Sequence, residues 1–213
     1  TMTRKTWATI GLLALTATGI TAGATTAYAI GTDCNGQAAT ITSSAEVIYG
    51  TSGADVIDAS GAGSHTIFGY GGNDTICSGV GVDVIWAGDG DDTVFAGDGG
   101  DVVYGGYGDD TVYGEAGNDF LQGESAHDVI HGGAGNDTID GGTFGDRLYG
   151  DEGRDLIDGF SGADEIRGGV GNDDLYGGIG NDALFGEAGN DRLFGEAGTD
   201  LLRDTEGRNS LTQ

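Results

Sequence analysis

The sequence predicts a stacked repeat fold rather than a globule built around one large core. Three observations carry that prediction. An Asp recurs every nine residues, an aliphatic residue is locked two places after it, and the composition lacks the apolar content of an ordinary core. Of 213 residues, 46 are Gly and none is Pro, roughly three times ordinary Gly usage. No G-X-Y triplet runs through the chain, which excludes collagen. The 35 acidic residues against 8 Lys and Arg give a formal charge of -27. That balance excludes nucleic acid as a partner, because phosphate binding needs basic side chains, and it disfavours an anionic membrane surface. Composition alone leaves a disordered acidic chain and a cation-binding repeat fold both open. The period decides between them.

Residues 1–29 read as an address. Arg4 and Lys5 precede an apolar stretch from Trp7 to Ile20, and Ala27-Tyr28-Ala29 supplies a small-residue cleavage site, the layout of a secretory signal peptide. An uncleaved membrane anchor is the alternative for so short a stretch. Its removal takes two of the eight basic residues and no acid, so the mature chain is more acidic still. The expected location is therefore extracellular. Residues 30–45 form a pre-repeat cap segment. It contains Cys34, and the only other Cys is Cys77. A secreted chain with two Cys permits one disulfide, which would fasten the cap to the repeats and stabilise them by about 3–5 kcal/mol. Two unpaired thiols are the alternative.

From residue 46 to residue 211 one repeat covers the chain, with residues 212–213 as its end. The Asp column runs Asp74, Asp83, Asp92, Asp101, Asp110, Asp119, Asp128, Asp137, Asp146, Asp155, Asp164, Asp173, Asp182, Asp191 and Asp200 without exception. We number the nonapeptide so that this Asp is position 6 and the aliphatic (Ile76, Ile85, Val94 and so on to Leu202) is position 8. Position 4 is Gly everywhere except Ala126 and Phe144. Asp55 is an outlying copy, His65 takes the Asp column after a ten-residue step, and Glu46 and Asn209 begin degenerate end copies. Atypical ends are what a stacked array requires, since they face water.

Gly132-Gly133-Ala134-Gly135-Asn136-Asp137-Thr138-Ile139-Asp140 fits G-G-x-G-x-D-x-U-x, and Gly168 to Leu175 fits equally well. The chain thus resembles the RTX, or haemolysin-type calcium-binding, repeat family. The resemblance implies an all-β fold, a parallel β-roll. This is a two-sheet right-handed solenoid in which the first six positions of each nonapeptide form a calcium-binding turn and the last three a strand. A full coil takes two nonapeptides. Successive turns then alternate between two edges.

Elementary chemistry agrees. Gly permits left-handed backbone and close approach of carbonyl oxygens, and Asp adds a short anionic oxygen. Calcium takes six to eight oxygens, whereas magnesium demands a tight octahedron and keeps its waters. The lack of a Cys/His cluster argues against zinc. The fifteen column aspartates are therefore the expected metal ligands, and calcium the expected cofactor. Fifteen turns on two edges leave up to about 13 slots between neighbours. In x-U-x the middle side chain points opposite to its neighbours, so the aliphatics should face inward between the two sheets. One buried aliphatic per nonapeptide cannot offset the entropy of ordering the whole repeat, so folding should require the metal.

Several local features carry separate expectations. Both turns lacking the position-4 Gly, those of Asp128 and Asp146, lie adjacent on one edge, which predicts a weak calcium slot between them. Phe68, Trp86 and Tyr104 should stack on one sheet, and Phe95, Tyr113, His131 and Tyr149 on the other. They read either as a sugar- or partner-binding stripe or as same-face stacking of strand formers. Asn73, Asn118, Asn136, Asn172, Asn181 and Asn190 precede the column Asp and are expected to hold the turn through left-handed backbone. His127 and His131 lack the Glu and the helix of a zinc-protease site.

No H-E-x-x-H, no G-x-S-x-G and no Lys after Lys5 is present, so no catalytic role is expected. The enzymes and toxins that carry this repeat elsewhere lend no activity by fold alone. Nothing after residue 29 could span a bilayer as an apolar helix, so membrane insertion is not expected either. The leading expectation is a secreted, non-catalytic calcium-binding protein that folds on meeting extracellular calcium. A calcium-rigidified adhesion or carbohydrate-binding module, with a cell-surface glycan or protein as partner, is the alternative. Ice binding would need a flat Thr/Asn row, which position 3 does not supply. A calcium-dependent polysaccharide-acting enzyme is a further reading, with no catalytic base to name.

Overall fold

In the computed structural model, residues 33–204 and 210–212 are described. The signal peptide read at 1–29 lies outside them. Among the described residues every regular element is a strand. Two parallel sheets of ten strands face one another. One begins at Val47–Tyr49 and ends at Ser210–Thr212, and the other begins at Ile41–Thr42 and ends at Leu201–Arg203. The chain crosses from sheet to sheet at every turn, so each sheet collects alternate strands.

The register is the repeat made visible. Ile85 pairs with Val103, Val103 with Leu121, Ile139 with Ile157 and Leu175 with Leu193, always two nonapeptides apart. Near the N-terminus, Ile48 pairs with Ile67 and Ile57 with Ile76, a separation longer by one. The added residue is the ten-residue step before His65. Alternation along each strand turns the position-8 side chain inward. From Ile48 to Leu193 these residues are 0–3 % exposed and form one continuous core column. This is the β-roll the sequence predicts, with two refinements. The strand Ile41–Thr42 already pairs with Val56–Asp58, so part of the segment read as a cap (30–45) belongs to the roll. Many strands also extend past the three expected positions, such as Thr93–Gly99 and Val102–Tyr107, because the first turn positions pair between coils as well.

The N-terminal end is closed by the short antiparallel pair Asp33–Cys34 and Gln37–Ala38. A disulfide joins Cys34 to Cys77, as expected, and the Gln37 side-chain amide donates to Thr75 Oγ1 at 3.3 Å. Cys34 is itself buried. Without this cover the first coil would present the open end of a core to water.

On the outer faces the predicted aromatic ladders form. Phe68, Trp86 and Tyr104 stack with centroids 4.8 and 5.6 Å apart. Phe95, Tyr113, His131 and Tyr149 follow at 5.0, 5.2 and 4.4 Å. Interplanar angles of 5–12° mean that each ring covers the face of the next. Only ring edges point outward, so these stripes offer no free aromatic faces along their length. Their geometry is that of cross-strand stabilisation.

Candidate metal centre

The fifteen column aspartates occupy two straight files, one on each edge of the roll. One file runs Asp74, Asp92, Asp110, Asp128, Asp146, Asp164, Asp182, Asp200, and the other Asp83, Asp101, Asp119, Asp137, Asp155, Asp173, Asp191. Along each file the Oδ1 of one Asp accepts the backbone N–H of the Asp one coil earlier. Asp92 N–H donates to Asp110 at 2.8 Å, Asp119 to Asp137 at 2.9 Å and Asp182 to Asp200 at 3.1 Å. Thirteen such links join the files. Each link fixes its carboxylate with one oxygen engaged and the other turned inward.

From Asp74 to Asp182 that second oxygen has no protein donor, and all thirteen Oδ2 atoms are buried and unsatisfied. A buried polar atom without a partner is costly, and a buried charge more so. In the ten of these thirteen turns that have Gly at position 1, Oδ2 faces that Gly alongside the position-1 carbonyl oxygen of the next coil; Ser78, Ala87 and Ala96 hold the position in the other three. A methyl group placed on Gly105 would lie 2.5 Å from Asp110 Oδ2 and 2.9 Å from the Gly123 oxygen, and one on Gly132 2.5 Å from Asp137 Oδ2 and 2.8 Å from the Gly150 oxygen. Position-4 carbonyls approach the next coil as closely, since a methyl on Gly117 would meet Gly99 O at 1.3 Å. Glycine is what lets these oxygens crowd together.

The carboxylates respond to that crowding. Burial is the first cause in each case, reinforced by neighbouring carboxylates and opposed by the N–H bond. It pushes Asp110 up to about 8, Asp92, Asp119, Asp146 and Asp155 up to about 7, and Asp74, Asp101, Asp128, Asp164 and Asp173 up to about 6. Asp137, Asp182 and Asp191 are raised as well. Such a file holds either protons or cations.

The residues present fit calcium. They offer hard oxygens, from carboxylates and from main-chain carbonyls, with no sulfur and no imidazole within the regular files. Among the described residues no three His, Cys, Asp or Glu side chains converge on one point. A cation here must therefore take most of its ligands from the backbone, which is what a glycine-built turn provides.

The N-terminal ends of the files are closed by hydrogen bonds instead. Both side-chain oxygens of Asp55 are satisfied, Oδ2 by Thr51 N–H at 2.7 Å and Thr51 Oγ1 at 2.9 Å, and Oδ1 by Thr40 Oγ1 at 3.3 Å. On the other edge the buried His65 ring lies 3.2 Å from Asp83 Oδ1.

Two turn features were not legible in advance. Position 2 is left-handed in all fifteen turns, yet seven of these residues are not Gly: Tyr70, Glu115, Glu124, Asp151, Phe160, Glu187 and Glu196, with φ between 61° and 76°. The asparagines at position 5 do not hold left-handed backbone, contrary to expectation. Their Oδ1 atoms instead accept the N–H one coil later, as from Asn136 to Asn118 at 2.7 Å, Arg154 to Asn136 at 2.9 Å and Asn190 to Asn172 at 2.9 Å. His127 joins the same ladder, with its N–H on Asp109 at 2.9 Å and its ring Nδ1 2.8 Å from the Gly145 carbonyl oxygen and 3.2 Å from the Gly145 nitrogen.

At the two turns without the position-4 Gly, the carboxylates keep their places. Asp128 N–H still meets Asp146 Oδ1 at 2.9 Å. Ala126 and Phe144 keep left-handed backbone, with φ of 95° and 80° against 105°, 132° and 123° at Gly72, Gly90 and Gly108. The position-4 N–H bonds lengthen to 3.2 Å from Gly108 to Ser125 and 3.3 Å from Ala126 to Thr143, against 2.7 and 2.6 Å from Gly72 and Gly90.

The sequence model of the RTX calcium-binding nonapeptide repeat (4 copies) matches overlapping windows that together run from residue 40 to residue 211. A search for individual curated relatives finds no match. With the matched repeats spanning the whole roll, the chain belongs to the RTX calcium-binding nonapeptide repeat family.

Proposed function

We propose that this calcium-binding repeat protein acts outside the cell as a non-catalytic module whose roll is ordered by calcium. The observation that carries the reading is the double file of thirteen buried, donorless Oδ2 atoms. Without cations these carboxylates must be protonated or pulled out into water. Calcium, when bound, neutralises them and draws neighbouring turns together. Affinities of extracellular calcium modules lie at about 10⁻⁴–10⁻³ M. A chain with such sites stays unordered where calcium is scarce and folds where it is plentiful. The signal-peptide layout of residues 1–29 supports export. The absence of a recognisable nucleophile, base or metalloprotease motif supports a role in binding rather than catalysis.

The slots sit between successive turns of each file, where the thirteen Asp-to-Asp links are. Thirteen divalent ions nearly balance the formal charge of -27. Equilibrium dialysis of the chain against saturating calcium, with metal analysis on both sides of the membrane, tests this. About thirteen calcium ions per chain are expected, or about twelve if the slot between the Asp128 and Asp146 turns is weak. One or two ions per chain would contradict the assignment of the files as ligands.

A further inference from the structure

On one edge of the roll several columns of the repeat change character within the same few coils. The outward column of the sheet that starts at Val47–Tyr49 carries rings at Phe68, Trp86 and Tyr104, then Gln122, Asp140 and Asp158, and returns to rings at Tyr176 and Phe194. Beside it, position 3 changes to hydroxyl residues at Ser125, Thr143 and Ser161. Position 4 loses its Gly at Ala126 and Phe144, and the inter-coil N–H bonds there lengthen to 3.2 and 3.3 Å while Ser125, Thr143 and Ser161 stay bridged from coil to coil. Beside these changes lies a shallow groove, largely open to solvent, of about 400 Å³.

Gly142 forms the floor of this groove, flanked at position 2 by Glu124 one coil before and Phe160 one coil after. Those neighbours are two strand spacings apart, roughly 10 Å. Gln122 and Asp140 line one side, bonded to each other at 3.3 Å, and Tyr107 closes the N-terminal end.

Phe160 is the informative residue. It is 50 % exposed, and its φ of 61° is costly for a bulky side chain. Three of the other six non-Gly residues at position 2 have visible partners. Tyr70 caps the ring ladder against Tyr49 and Phe68, Asp151 pairs with His131, and Glu187 pairs with Arg167. Phe160 stacks on no ring among the described residues and turns its side chain to the groove. Tyr107, 70 % exposed, likewise stacks on no ring.

We propose that this groove binds one neutral pyranose unit of a glycan, stacked on Phe160 and hydrogen-bonded by Gln122, Asp140 and Glu124. The C–H face of a sugar is weakly positive and suits the negative face of an aromatic ring. An amide and two carboxylates supply the acceptors and donors that vicinal hydroxyls need. A concave site with a few convergent polar groups is the usual form of a small-ligand site. The carboxylates exclude uronic, sulfated or phosphorylated sugars. The ring ladders are not the site, because their faces are already covered.

The inference rests on the roll being formed, so the full chain is tested in saturating calcium with circular dichroism run in parallel. Maltoheptaose, cellopentaose and chitopentaose are titrated calorimetrically, with polygalacturonate as the anionic control. At least one neutral oligosaccharide is expected to bind, and polygalacturonate is not. Phe160→Gly relieves the backbone, so it should fold at least as stably while binding about tenfold more weakly. Asp140→Asn should weaken binding too, and Trp86→Ala should leave the affinity unchanged. The proposal is overturned if a correctly folded chain binds none of the three, if Phe160→Gly binds like the parent, or if polygalacturonate is preferred. Binding that persists in chelator with the roll intact would support the groove while contradicting calcium-dependent folding.

Discussion

Each column Asp does two jobs with two oxygens. Oδ1 accepts a neighbouring N–H and sets the spacing between turns, while Oδ2 is held in the interior with carbonyl oxygens around it. Burial raises most of these carboxylates from 3.8 to about 6–8. A raised carboxylate binds its proton more tightly in the roll than in the unfolded chain. Its contribution to metal-free stability is therefore complete below 3.8 and lost as pH rises through about 6–8. In chelator, lowering the pH from about 8 to about 5 should increase strand content by circular dichroism. In calcium the same protons compete with the metal, so apparent calcium affinity should rise with pH over that window. A metal-free chain that loses strand content on acidification would contradict the assignment. The nine-residue spacing and the choice of Asp made the carboxylate files legible in the sequence. The second role of Asn, as an acceptor for the next coil, was not, because it depends on which atoms adjoin from two nonapeptides away.

At the scale of the element, the roll is a stack of weak units. A strand contributes one fully buried aliphatic, and neighbours in register supply the rest of the contact. Leu148 is 0 % exposed in the core column between Ile130 and Ile166. Leu148→Ala should cost about 2–5 kcal/mol and raise the calcium concentration at the folding midpoint. An unchanged midpoint would mean that the column is not the core. Position 8 announced itself through its period and its aliphatic character. The left-handed position 2 did not, because Glu, Asp, Tyr and Phe there hide the glycine pattern that marks such backbone. The groove was hidden for a related reason. Its walls come from positions 2, 3 and 9 of successive coils, and only the stacking brings them together. What the sequence did reveal there was the loss of Gly at Ala126 and Phe144, and the lengthened inter-coil N–H bonds lie at that point.

Across the whole molecule, the acidic composition and the fold are one phenomenon. A chain with 35 acids and 8 bases lacks the apolar content to fold by burial alone. Its carboxylates are stacked one coil apart along two edges, where like charges must repel unless cations lie between them. On the proposed reading, metal binding becomes folding free energy. The Cys34–Cys77 disulfide and the hydrogen-bonded ends at Asp55 and His65 hold the N-terminal end without metal, so ordering should propagate from there toward Leu202. The most direct test is a calcium titration of the full chain followed by circular dichroism, starting in chelator at neutral pH. The coil spectrum should convert cooperatively to a β spectrum as calcium enters the millimolar range, with magnesium failing to substitute. A chain already fully β in chelator, or one that stays a coil at saturating calcium, would contradict the account.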